Sequence, residues 1–127
     1  MSDISERMFD LKLKGYCCSQ MIMQMGLDRL GKENDDLIKA MAGLCDGMYR
    51  ERTCGTLSAA LCLLYLADPE MASLSAALDL TDWFVDAFGD TECATLLGDD
   101  PVGNRVSRCP MIIESTFQMV EELLDWD

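Results

Sequence analysis

Sulfur is the first place to look for chemistry in this sequence. Its 127 residues include seven cysteines and no histidine, so the commonest general base and metal ligand near neutral pH is missing. No Cys-His or Ser-His couple can form within one chain. Thr53-Cys54, Thr91-Glu92-Cys93 and Ser107-Arg108-Cys109 each set a thiol just after a residue suited to cap a helix, and Cys18 follows Gly15-Tyr16 in a similar way. The unpaired N–H groups and positive dipole end of a helix start favour an anion, so these four thiols are expected to ionise below the usual value of about 8.5. Thiolate is the form that attacks disulfides and binds metals.

Neighbouring residues support this reading. Gly55 follows Cys54 and, lacking a side chain, would let a sulfur, a backbone or a cofactor approach the helix start. Arg50 and Arg52 precede Cys54, and Arg105 and Arg108 precede Cys109. Cys54 is the expected nucleophile. Cys17, Cys45 and Cys62 read instead as structural, Cys62 lying mid-helix among leucines and Cys45 in a glycine turn. The methionines, ten in all, read as core filling, and the acidic pairs Asp35-Asp36, Asp99-Asp100 and Glu121-Glu122 as solvated surface without calcium-loop spacing.

These cysteines need helices to carry them, and the periodicity supplies helices alone. Asp3 and Glu6 open a first helix with Ile4, Met8 and Leu11 on one face, ending before Gly15. A second runs from about Tyr16 to Leu30 on Cys18, Met21, Ile22 and Met25, and is stopped at Gly31. Asn34 caps a third bearing Leu37, Ile38 and Met41; the stretch Gly43-Leu44-Cys45-Asp46-Gly47 then reads as a turn. Thr53 caps a central helix to Ala67, apolar nearly all round through Leu57, Ala60, Leu61, Leu63 and Leu64. From Pro69 to Phe88 the expected buried stripe is Met71, Leu74, Leu78, Thr81, Val85 and Phe88, with Gly89 as the stop. Thr91 caps a short helix through Leu97, Gly98 to Val106 reads as a loop, and Ser107 caps a last helix on Ile112, Met119, Val120 and Leu123. The expectation is all-α, one domain over residues 1–127, a bundle of six or seven helices.

Composition narrows the partners. The formal charge of -13 repels phosphate backbones and anionic membranes, so nucleic acid is excluded. Met1 to Asp10 has no basic start or apolar core of a secretory signal, and the apolar run Thr56 to Ala67 falls short of the roughly 20 residues of a membrane span. An odd number of cysteines fits poorly with a secreted disulfide framework, and a cytoplasmic location with reduced or ligated thiols follows.

Four segments taken together resemble a known family. Gly15-Tyr16-Cys17-Cys18-Ser19-Gln20, then Cys54-Gly55-Thr56-Leu57-Ser58-Ala59, then Cys93 before Leu96-Leu97-Gly98, then Cys109 opening the last helix, are similar to the redox-active C_GCAxxG_C_C family over about Gly15 to Leu124. Thr56 stands where the family has alanine and Ala59 where it has glycine, and Cys17 is an extra thiol. The resemblance implies a redox role for Cys18, Cys54, Cys93 and Cys109 in a family mostly bacterial or archaeal, without an assigned reaction or substrate. Two chemistries fit: thiol/disulfide exchange with a redox partner protein or small thiol, or ligation of an iron-sulfur cluster or other thiophilic metal by the same four cysteines. Neither C-x-x-C pairs nor common ferredoxin spacings are present, and exchange is the preferred reading. A non-catalytic interaction module with core cysteines is the third, and a homo-oligomer stays open.

Overall fold

A computed structural model describes residues 3–45 and 47–126, the side chain of Glu51 apart, and these are helical nearly throughout. Helix α1 (Asp3–Leu13) starts on Asp3 and Glu6, ends on Lys12 in accord with the helix dipole, and buries Met8 and Leu11. Helix α2 (Cys18–Leu30) stops where Gly31 turns left-handed at φ 68°. Asn34 caps α3 (Asp35–Met41) by accepting from Leu37 N at 3.1 Å. A short 3-10 turn, Ala42–Leu44, follows. The chain then reverses through Gly47, Met48 and Tyr49, all left-handed.

Helix α4 (Gly55–Ala67) is the hub, with Leu57, Ala60, Leu63 and Leu64 buried. It packs most extensively on α2, where Gly26 faces Leu63 so closely that a Cβ at Gly26 would collide with the leucine. Asp68 accepts from Met71 N at 3.1 Å to start α5 (Pro69–Met71). This short helix runs on through a π-helical turn, Ala72–Ala76, into α6 (Ala77–Phe88), which Gly89 stops. Helices α7 (Cys93–Leu97), α8 (Pro101–Ser107) and α9 (Cys109–Leu123) complete the chain. Helix α9 lies against α4, α2 and α6, and its Ile112, Ile113, Phe117 and Val120 join one contiguous core. Ion pairs Arg7–Asp28 and Arg29–Glu121, with Arg29 stacked 5.1 Å from the Trp126 ring centroid, stitch α1, α2 and the end of α9. Among the described residues no helix is long and apolar enough to cross a membrane.

The all-α expectation holds, and four local readings change. The stripe expected to be buried on α5–α6 faces solvent at Leu74, Leu78 and Val85, while Ala72, Ala76, Leu80 and Phe84 are buried. Buried positions four apart drift on a 3.6-residue helix, and the π turn adds the residue that keeps them facing the core. Residues expected to form a loop make α8, because Asp100 accepts from Gly103 N and Pro101 fills the first helical position. The expected caps Thr53, Thr91 and Ser107 are displaced by Cys54, Glu92 and Arg108, so Cys54 is itself the cap of α4. Cys62 is exposed rather than sealed among leucines. Asp46, expected in the glycine turn, lies outside the described residues, as do Met1 and Ser2.

Candidate functional site

Three chain segments converge on one end of the bundle. An isolated antiparallel bridge joins Thr53 to Glu92. It is closed by Cys54 N donating to Thr91 O at 2.8 Å and Cys93 N donating to Arg52 O at 2.6 Å. Arg52, expected to act through its charge, acts here through its carbonyl. Asp90 Oδ1 accepts from Thr91 N at 2.6 Å. The Thr95 hydroxyl, followed by the Thr91 amide, holds the Asp90 carboxyl below the usual range. Past α7, Asn104 Nδ2 donates to Leu97 O and Arg108 Nη1 to Leu96 O at 3.0 Å. These bonds satisfy carbonyls that a helix end leaves unpaired and fold α8 and the start of α9 back onto α7.

The result is that Cys18, Cys54, Cys93 and Cys109 all line one cavity of about 30 Å³. Gly47, Gly55, Thr56 and Arg105 share its wall, with Leu96, Leu97 and Ile112 as the apolar side. The four sulfurs come from four helix starts: Cys18, Cys93 and Cys109 are first helical residues and Cys54 is a cap. Cys54 and Cys93 are buried, each 8% exposed, whereas Cys18 and Cys109 are partly open. Gly55 is required here, since a Cβ on it would stand 2.5 Å from Leu44 O and 3.0 Å from Cys18 Sγ. The glycine admits a sulfur and a backbone carbonyl.

The electrostatics depart from the expected thiol acidification. Burial, and then the charge of Cys54, push Cys18 up to about 11, against a lowering hydrogen bond from the Thr56 side chain. Cys109 is also pushed up, by burial first and Cys54 second, while Arg105 pulls it down. Desolvation in a small apolar-sided cavity thus outweighs the helix dipole at these two sulfurs. Cys18 and Cys109 thus both feel Cys54, and Cys18 feels Cys109 as well.

The model of the family described as "Putative redox-active protein (C_GCAxxG_C_C)" matches residues 16–123. The chain belongs to that family. The four cysteines that the resemblance singled out meet at one cavity. No curated protein and no solved structure matches the chain. The two departures from the family pattern have different consequences. Ala59 is fully buried and its methyl is accommodated, whereas Thr56 brings a hydroxyl to Cys18.

Cys17 and Cys45, expected to be structural thiols, are joined in a disulfide with Cα atoms 6.1 Å apart, an ordinary span for such a bond. Ser19, part of the Gly15 to Gln20 stretch but assigned no role from sequence, is fully buried beneath it. Its Oγ lies 3.3 Å from Cys17 Sγ and 3.2 Å from Cys45 Sγ and donates to Met41 O at 2.7 Å.

Among the described residues no group of three or more Cys, Asp or Glu side chains stands in an arrangement that would hold a metal ion. The cavity is small, about 30 Å³. A larger open groove of about 510 Å³ lies between α1, α2 and α9, but it carries no cysteine and its Arg7 and Arg29 are engaged with Asp28 and Glu121. Size alone would favour that groove. The nucleophiles favour the small cavity.

Proposed function

We propose that the chain is a two-electron thiol/disulfide redox protein whose working sulfurs are Cys18, Cys54, Cys93 and Cys109. The observation that carries this is the shared cavity: residues up to 91 positions apart in the sequence bring four thiol side chains to one enclosed point. Family membership supports redox activity in general, and the exchange mechanism is our reading of the geometry.

Cys109 is the sulfur that meets the partner, because it is partly open and Arg105 stands beside it. Its thiolate, a minority form that burial disfavours and Arg105 favours, attacks one sulfur of a partner disulfide, forming a mixed disulfide and releasing one partner thiolate. Cys54, electrostatically coupled to Cys109, then attacks the Cys109 sulfur, forming Cys54–Cys109 and releasing the second partner thiolate. Two protons from the protein thiols end on the two partner thiols, the partner disulfide gains two electrons, and the protein loses two. Cys54 was the nucleophile expected from sequence; its burial assigns it the resolving step instead. Cys93, tied to Cys54 through the Thr53–Glu92 bridge, and Cys18 complete the thiol set. The partner is a protein disulfide or a small-molecule disulfide in the cytoplasm.

The iron-sulfur alternative, through the same four sulfurs, would instead show visible charge-transfer absorption and stoichiometric iron after anaerobic purification. Titration of the fully reduced, anaerobic protein with hydroxyethyl disulfide, followed by peptide mapping, tests the exchange reading. The expected product is a Cys54–Cys109 link, its two thiols lost in addition to the two of a re-formed Cys17–Cys45 pair. Mixed disulfide confined to exposed Cys62, with all four cavity thiols intact, would overturn it.

A further inference from the structure

The Cys17–Cys45 disulfide lies outside the four-sulfur cavity, yet both of its ends are attached to that cavity's walls. Cys17 is the cap of α2 and Cys18, the next residue, carries one of the cavity sulfurs. On the other side, Cys45 follows Leu44, whose carbonyl stands against Gly55, and it precedes by two residues Gly47, which lines the cavity. The disulfide therefore clamps the segment that closes one side of the site to the helix start that supplies Cys18. We infer that Cys17–Cys45 is a second, reversible redox centre, and that its reduction by a small-molecule thiol loosens the contacts of Leu44 and Gly47 at the cavity and exposes Cys18 and Cys54.

Ser19 is what makes both states of this pair acceptable in the interior. While the disulfide is closed, neither sulfur carries a hydrogen, and the single hydroxyl hydrogen of Ser19 goes to Met41 O. Once the disulfide opens, each sulfur gains a hydrogen, and Ser19 Oγ, 3.3 and 3.2 Å away, stands ready to accept from it. A buried thiol without a partner would pay for desolvation; here the acceptor is already in place. A purely structural disulfide among apolar side chains would need no such group.

The exchange balances with the thiol as reductant. A thiolate RS⁻ attacks Cys17 Sγ, the less buried of the two sulfurs, giving RS–S–Cys17 and releasing Cys45 as thiolate, which takes up a proton and donates to Ser19. A second RS⁻ attacks the outer sulfur of the mixed disulfide, releasing RSSR and Cys17, which is protonated in turn. Two thiols are oxidised, one disulfide is reduced, and two protons end on Cys17 and Cys45. The inference stands whatever the four cavity thiols do, since its readouts are the state of Cys17–Cys45 and access to the cavity.

The test is site-resolved alkylation of the protein with N-ethylmaleimide after equilibration across a dithiothreitol series and anaerobic removal of the reductant. Without reductant, Cys17 and Cys45 should be protected and recovered as one linked peptide. As dithiothreitol opens that link, the labelling rates of Cys18 and Cys54 should rise several-fold while that of exposed Cys62 stays constant. Cys45→Ser should show the raised Cys18 and Cys54 rates without reductant. Ser19→Ala should shift the opening midpoint to higher dithiothreitol, having lost the acceptor for the reduced pair, with far-UV circular dichroism confirming that both variants fold. Labelling of Cys17 and Cys45 in air-oxidised protein would overturn the inference. So would Cys18 and Cys54 rates indifferent to the state of the pair in both wild type and Cys45→Ser.

Discussion

The Cys18 sulfur and Gly55 stand so close that a methyl group on Gly55 would lie 3.0 Å from that sulfur and 2.5 Å from the Leu44 carbonyl. The start of α2 and the start of α4 thus meet at a point that admits no side chain. Gly55→Ala should destabilise the fold by about 1–3 kcal/mol, because Leu44 presents rigid backbone that cannot yield. Gly43→Ala is the contrast, since a Cβ there meets nothing within 4 Å. Urea unfolding of the two variants should show a lowered midpoint for the first and little change for the second.

Thr56 stands where the family has alanine, and its side-chain hydrogen bond lowers the Cys18 pKa against burial and the Cys54 charge. Thr56→Ala should therefore move Cys18 further up. The pH midpoint of Cys18 alkylation is the readout, since an absolute rate would also respond to the space left by the deleted atoms. An unchanged midpoint would remove Thr56 from the site.

Cys18 is raised from 9.0 to about 11 in the folded chain. Below pH 9 both folded and unfolded forms hold its proton and the difference is silent. Between pH 9 and about 11 the unfolded chain releases the proton while the folded one keeps it, so stability falls as pH rises through that window, by on the order of 2 kcal/mol. Cys109, also raised, acts in the same direction. Urea midpoints in a series from pH 8 upward should fall, and Cys18→Ser should flatten the decline.

Much of this fold was legible because helix caps and apolar spacing are local. Asn34 and the stops at Gly31 and Gly89 act where the sequence places them. What failed was long-range. Nothing local says that a π turn at Ala72–Ala76 will turn Leu74 and Leu78 outward, or that Cys54 will cap α4 because Thr53 is held in a bridge to Glu92. The four site cysteines were identifiable from helix-start placement and family resemblance, and the structure brings all four together. Their raised pKa values at Cys18 and Cys109 were not, since the helix dipole can be read from sequence but desolvation cannot. The Cys17–Cys45 pairing was equally hidden, its partners being 28 residues apart on different elements.

Thr116 on α9 is fully buried and, among the described residues, its Oγ1 is the one buried side-chain oxygen or nitrogen without a hydrogen-bond partner. Thr116→Val keeps the branched shape and removes the unpaired hydroxyl. It should stabilise the protein by about 1 kcal/mol, read as a raised denaturant midpoint with an unchanged slope.

The central claim is that the cavity thiols of Cys18, Cys54 and Cys109 behave as one coupled set. Site-resolved alkylation of Cys18 and Cys109 across pH, in wild type and Cys54→Ser, measures it directly. Removing the Cys54 charge should lower both midpoints together, because that charge contributes to raising each. Midpoints that stay where they are in the variant would mean that the three sulfurs titrate independently, and would contradict the coupling.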